Sequence, residues 1–138
     1  MKQIIFYNKF ESTRKSIENL EYILQKQKNS ICFSGADFNV ICLCIYEIFI
    51  NAICHGNRYD ASKYVELIIE KHSNKLVITI IDQGNGFTVE DILDPTTEEN
   101  LLKDSGRGIF IVKKFANFVD YKHTPRGFCT IVTFNYEM

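Results

Sequence analysis

The chain carries almost no excess of either charge: 16 Lys and Arg stand against 17 Asp and Glu, a net of −1. A general nucleic-acid binder shows a basic excess or stripe. Here the basic residues are dispersed among acidic ones, so neither a nucleic-acid surface nor a polybasic membrane patch is expected. The N-terminus, MKQIIFYNKF, lacks an apolar stretch followed by a small-residue cleavage site, so no secretory leader is expected. There is no Cys-x-x-Cys pair. The five cysteines (Cys32, Cys42, Cys44, Cys54 and Cys129) are odd in number, and three fall in one apolar run. That is the pattern of reduced, buried thiols in a cytoplasmic protein. Cys54 adjoins His55, but successive helical residues point in different directions, so the two do not form a Cys–His pair. His55, His72 and His123 make no metal cluster, and the last two read as hairpin-turn residues. The apolar run that begins near Ala36 is interrupted by Asn39, Glu47 and Asn51. It falls short of a clean span of about 18 residues, which argues against a membrane crossing. Gly-x-x-x-x-Gly-Lys-[Ser/Thr] and Gly-x-Gly-x-x-Gly are both absent, excluding a P-loop NTPase and a Rossmann dinucleotide site.

What is present is a chain of 138 residues, 46% of them hydrophobic, enough for one substantial core and a single domain over residues 1–138. Ile4 to Asn8 reads as a short edge strand. From Ser12 to Gln27, Ile17, Leu20 and Leu24 make one apolar helical face, with Ser12 or Thr13 as N-cap. Asn29 to Gly35 breaks that pattern. Asp37 then caps a central helix that ends at Gly56, a glycine of the type expected just past a helix terminus. Lys63–Lys71 and Lys75–Ile81 are β-rich runs joined by His72-Ser73-Asn74, an antiparallel hairpin. Thr88 to Ser105 has little apolar periodicity, and Gly106 to Asn117 opens on two glycines and becomes helical. Phe118–Lys122 and Phe128–Tyr136 form a second hairpin with His123 to Gly127 as its turn. The order β-α-α-β-β-loop-α-β-β predicts an α+β fold, a two-layer α/β sandwich whose mostly antiparallel sheet is covered on one face by about three helices.

Three motifs carry chemistry. Glu47, Asn51 and His55 recur at helical spacing and lie roughly along one face of the otherwise apolar central helix. A carboxylate and a carboxamide buried there need either a structural hydrogen-bond network or a ligand. An Asn oxygen suits Mg²⁺, which takes its remaining ligands from phosphates and water. A Glu one turn earlier can take a proton from a hydroxyl or water attacking a phosphate. Asp82-x-Gly84-x-Gly86 closes the second strand. Its Asp can read an exocyclic amine such as adenine N6, and its glycines allow close approach of a ring, although an ordinary turn has the same composition. Gly106-Arg107-Gly108 leads into a helix, where free N–H groups and a guanidinium suit an anion. The same residues also suit a hinge.

The order and spacing of these motifs, Glu-x-x-x-Asn, then Asp-x-Gly-x-Gly, then Gly-x-Gly opening a helix, resemble the GHKL superfamily with its Bergerat ATP-binding fold. Within it, E-x-x-x-N-A-x-x-H-G-N and G-R-G-I-F-I-V look most like the anti-sigma-factor serine kinases of bacterial partner-switching systems. The resemblance covers Asp37 to Phe134 and, more loosely, Ile4 to Gln27. It implies an ATP- and Mg²⁺-dependent protein serine/threonine kinase in which Asn51 ligates Mg²⁺ and Glu47 is the general base. Asp82 binds the adenine amine, Gly84 and Gly86 shape that pocket, and Gly106, Arg107 and Gly108 hold phosphates. Residues 88–105 form the ATP lid. Thr130 falls where the family often has a Thr near adenine, with Cys129 replacing the usual preceding Gly. His55 and Asn57 match the H-G-N pattern, with a structural or phosphate-proximal role. The implied partners are a STAS-type anti-anti-sigma protein and a sigma factor, and the implied state is a cytoplasmic homodimer built through the N-terminal strand and first helix. At this chain length, the phospho-accepting helix pair that precedes the kinase domain in a sensor histidine kinase is not expected. Two alternatives remain at this point: a non-catalytic ATP-loaded binding module, and an ATPase switch whose acceptor is water.

Overall fold

In β2 (Tyr64–Lys71) and β3 (Lys75–Asp82) buried and half-buried residues alternate, placing Val65, Leu67, Ile69, Leu76, Ile78 and Ile80 inside. Period-two alternation gives each strand one apolar face, and the two pair as an antiparallel hairpin. The computed structural model describes residues 2–31, 37–84 and 111–135. Around the hairpin, β1 (Gln3–Glu11) pairs with β2, β5 (Gly127–Asn135) with β3, and β4 (Phe118–Thr124) with β5, all antiparallel. The five-stranded sheet has the order β1-β2-β3-β5-β4, so β1 and β4 are its edges.

The helices are α1 (Arg14–Lys26), α2 (Lys28–Ile31) and α3 (Phe38–Asn51), which continues into a π-helical turn, Ala52–Gly56. Residues 111–115 are also helical. Thr13 caps α1 by accepting the Ser16 N–H, and Asp37 caps α3 by accepting the Asn39 N–H. Leu20 and Leu24 of α1, Ile31 of α2, and Ile41, Cys44, Ile45, Ile48 and Phe49 of α3 are buried against one face of the sheet. There Phe10 meets Phe49 edge to face, with ring centroids 4.9 Å apart. The result is a two-layer α+β sandwich with its core between sheet and helices.

Several boundaries differ from expectation for physical reasons. β1 runs to Glu11, beyond Asn8, because its polar residues sit on an edge strand while Phe10 turns inward. Asn29 to Gly35 is expected to break the helical pattern, but its described part, residues 29–31, lies in α2, which buries Ile31. The second hairpin turns over Pro125-Arg126 alone, which puts His123 and Thr124 into β4. The described helix before β4 ends at residue 115, short of Asn117. The helical run Phe38–Gly56 spans 19 residues and is long and apolar enough to cross a membrane by length and composition, which corrects the expectation that it falls short. Its inner face, from Ile41 to Ile53, is buried as the core helix of the sandwich.

Candidate functional site

The site is built where the end of α3 meets the end of β3. Glu47 and Asn51 lie one helical turn apart on α3, both half-buried. The Cys44 thiol beside them is pushed up to about 11, first by burial and then by the Glu47 carboxylate. Asn51 is the last α-helical residue, and its side chain makes no capping hydrogen bond. A half-buried carboxamide with no partner among the described residues fits a hard cation, so the donor chemistry at Asn51 is compatible with Mg²⁺. His55 departs from the pair: it lies in the π turn and is exposed.

Asp82 closes β3 and is only 6% exposed. Its Oδ1 accepts the Gly84 N–H at 2.8 Å. Burial pushes its carboxyl up to about 6, partly offset by the Gly84 N–H and by His123 and Lys63 nearby. Backbone crowds in around this carboxylate. A Cβ on Gly56 would sit 2.5 Å from Asp82 Cγ, and one on Gly84 would sit 2.2 Å from the Gly56 carbonyl oxygen. Gly127, at φ +136°, approaches the Asp82 carbonyl in the same way, so the turn after β4 also requires glycine. Register puts Phe128 opposite Asp82 and Thr130 opposite Ile80, so Asp82 and Thr130 are diagonal neighbours on the helix-facing side. Thr130 is 8% exposed, and its hydroxyl has no hydrogen bond among the described residues. On the adjoining edge strand, Tyr121 stacks on Phe128 and the His123 ring lies 5.0 Å from it. Asp82, Gly84 and Thr130 are thus brought together, with the helix of Glu47 and Asn51 ending against them.

Gly86, Gly106, Arg107, Gly108 and the expected lid, residues 88–105, lie outside the described residues. Gly56 does not serve as a left-handed helix stop. The helix instead ends through Asn57 N–H bonded to the Ala52 carbonyl and Tyr59 N–H bonded to the Ile53 carbonyl. The left-handed residues are Arg58 (φ 52°) and Tyr59 (φ 57°). Gly56 is small because Asp82 packs on it. Sequence reasoning also missed the network under the site. Asn57 is 1% exposed; its Nδ2 donates to Ser12 Oγ (2.8 Å) and the Tyr64 carbonyl (3.0 Å), and its Oδ1 accepts the Gln83 N–H (2.7 Å). Ser12 Oγ donates onward to the Lys63 carbonyl. Asn57 itself is marked by the H-G-N pattern, but nothing in the sequence names Ser12, Tyr64 or Gln83 as its partners.

The sheet order and its one-sided helical cover define a GHKL-type ATP-binding fold. The same fold occurs in the catalytic domain of the histidine kinase ThkA, in a nucleotide-free form with 1,2-propanediol. That chain is 15% identical, with a TM-score of 0.61 over 95% of this chain and 98% of that one. A second nucleotide-free form, with isopropanol, gives a TM-score of 0.56 at 15% identity over 95% and 97%. The sequence profile of the histidine kinase-like ATPase domain matches residues 10–134, and the chain belongs to that family. No protein of curated function matches it.

Proposed function

We propose that this domain is a Mg·ATP-dependent protein serine kinase that acts as an anti-sigma factor. The observation that carries the reading is the pairing of two half-buried polar groups, Glu47 and Asn51, on the helix whose end packs against the buried Asp82. Asp82 accepts the adenine amine, with Thr130 beside it. Asn51 holds Mg²⁺, which neutralises charge on the ATP phosphates when bound. Glu47 takes the proton of the acceptor serine as its oxygen bonds to the γ-phosphorus and the bond to the ADP oxygen breaks. Gly86, Gly106, Arg107 and Gly108 complete the nucleotide contacts.

The acceptor is a serine on a STAS-type anti-anti-sigma partner, and the alternative partner is a sigma factor, in the cytoplasm. A homodimer through β1 and α1 is supported by the position of β1 at the sheet edge, with Ile4 and Tyr7 exposed. The test is phosphotransfer with Mg²⁺ and γ-labelled ATP, comparing wild type with Glu47→Gln in the presence of a STAS-domain protein. Label on a partner serine with wild type alone is the expected result. Free phosphate as the sole product makes the domain an ATPase switch. Mg²⁺-dependent ATP binding with neither product makes it a non-catalytic binding module.

A further inference from the structure

We infer that Asn57 is a positioning residue for Asp82, and that its hydrogen bond to the Gln83 N–H sets the purine selectivity of the site. This inference rests on the reading of Asp82 as the group that meets the base.

The carboxamide is almost wholly buried and fully used: two N–H donors go to Ser12 Oγ and the Tyr64 carbonyl, and the oxygen goes to the Gln83 N–H. Those partners belong to three separate segments: the β1–α1 junction, the start of β2, and the residue directly after Asp82. Gln83 returns the tie, because its Oε1 accepts the Tyr64 N–H at 2.7 Å. The strand end carrying Asp82 is therefore held from both sides. The N–H of the next residue is fixed by Asn57, and the N–H after that is fixed by the Asp82 carboxylate itself. Gly56, the neighbour of Asn57, packs directly on that carboxylate. The π turn places both residues, since the Asn57 N–H reaches back to the Ala52 carbonyl.

A fixed carboxylate matters for one kind of discrimination. A 6-amino purine offers it a donor, whereas a 6-oxo purine offers an acceptor and leaves the buried oxygen facing another lone pair. A site built to satisfy a hydrogen bond rejects the analogue that lacks it far more strongly than an apolar pocket can. That advantage depends on the acceptor being held to within a few tenths of an ångström. If the Gln83 N–H is released, the triphosphate contacts remain and the base reading is lost.

The experiment measures ATP and ITP affinities in the full chain with Mg²⁺, for wild type, Asn57→Ala, Asn57→Asp and Thr13→Ala. Wild type is expected to prefer ATP by at least about tenfold, and Asn57→Ala to lose most of that ratio. In its neutral form Asn57→Asp keeps an oxygen for the Gln83 N–H and one donor for the Tyr64 carbonyl or Ser12, so it is expected to keep the ratio while losing stability. Thr13→Ala removes the α1 cap next to Ser12 without touching the Asn57–Gln83 hydrogen bond, and is expected to lower stability while leaving the ratio unchanged. If Asn57→Ala does not fold, Asn57→Ser takes its place, since its hydroxyl is too short to reach the Gln83 N–H. An unchanged ratio in the alanine or serine variant overturns the inference, as does a ratio lost equally in Asn57→Asp. A wild type that does not distinguish ATP from ITP overturns the assignment of Asp82 as well.

Discussion

Asp82 sits where an ionised carboxylate is disfavoured, and its carboxyl titrates near pH 6 for that reason. In an unfolded chain it would titrate near 3.9. Between those values the native state holds more protons than the unfolded state, so this group's contribution to stability falls as pH rises through the window and is level above it. Asp82→Asn keeps an oxygen for the Gly84 N–H and removes the charge. At pH 7 the variant should be at least as stable as wild type, by up to roughly 2–3 kcal/mol, and should lose the slope between pH 4 and 6. It should also lose preference for adenine nucleotides. Denaturant midpoints across pH, with nucleotide titration, check both; a variant clearly less stable at pH 7 makes the carboxylate a structural group. The place of Asp82 at the end of β3 was legible because an acidic residue at a strand end followed by spaced glycines is a local pattern. Asn57 stood out through the H-G-N pattern, but its network was not legible, because its three partners lie 7, 26 and 45 residues away and no local pattern encodes them.

At the scale of elements, helix starts were readable and the helix end was not. Thr13 and Asp37 cap as their types suggest, and the apolar spacing of α1 and α3 matches the faces they bury. The π turn has no composition of its own, since i→i+4 and i→i+5 bonding bury similar residues. Gly56 therefore read as a helix stop, while the left-handed conformations fell on Arg58 and Tyr59. A side chain in that region carries a penalty that glycine does not. Arg58→Gly should accordingly stabilise the domain by about 0.5–1 kcal/mol, measured by chemical denaturation. Gly56→Ala, although helix-friendly by propensity, meets the Asp82 carboxylate and belongs with the site. The hairpins were legible from alternation and turn residues. The second turn proved tighter, which moved His123 from a loop to the strand beside Phe128.

Across the whole molecule, the two-layer class followed from the order of elements, but the sheet order did not. The chain leaves β3, pairs β4 at the far edge and returns through β5 between them. Such non-local pairing leaves no period in the sequence. The nucleotide is expected to act on the domain as a whole by mass action. At one hundred times its dissociation constant, Mg·ATP should add about 2.7 kcal/mol to unfolding. Asn51→Ala should keep the unliganded stability and lose the Mg²⁺-dependent part of that gain, as thermal melts with and without the cation would show. An undiminished gain would place the cation elsewhere.

The contact of Gly56 with Asp82 and Gly84 has a consequence for tolerance to drift. Side-chain packing between two elements sets their spacing through rotamers and volumes, so each core exchange shifts it slightly. Here Gly84 meets Gly56 main chain to main chain, with dimensions that are the same in every protein, and the short Asp82 side chain packs on the same glycine. The seam works like a machinist's gauge block: the isoleucines and leucines behind it are free to exchange over generations, while the width of the gap it sets stays constant.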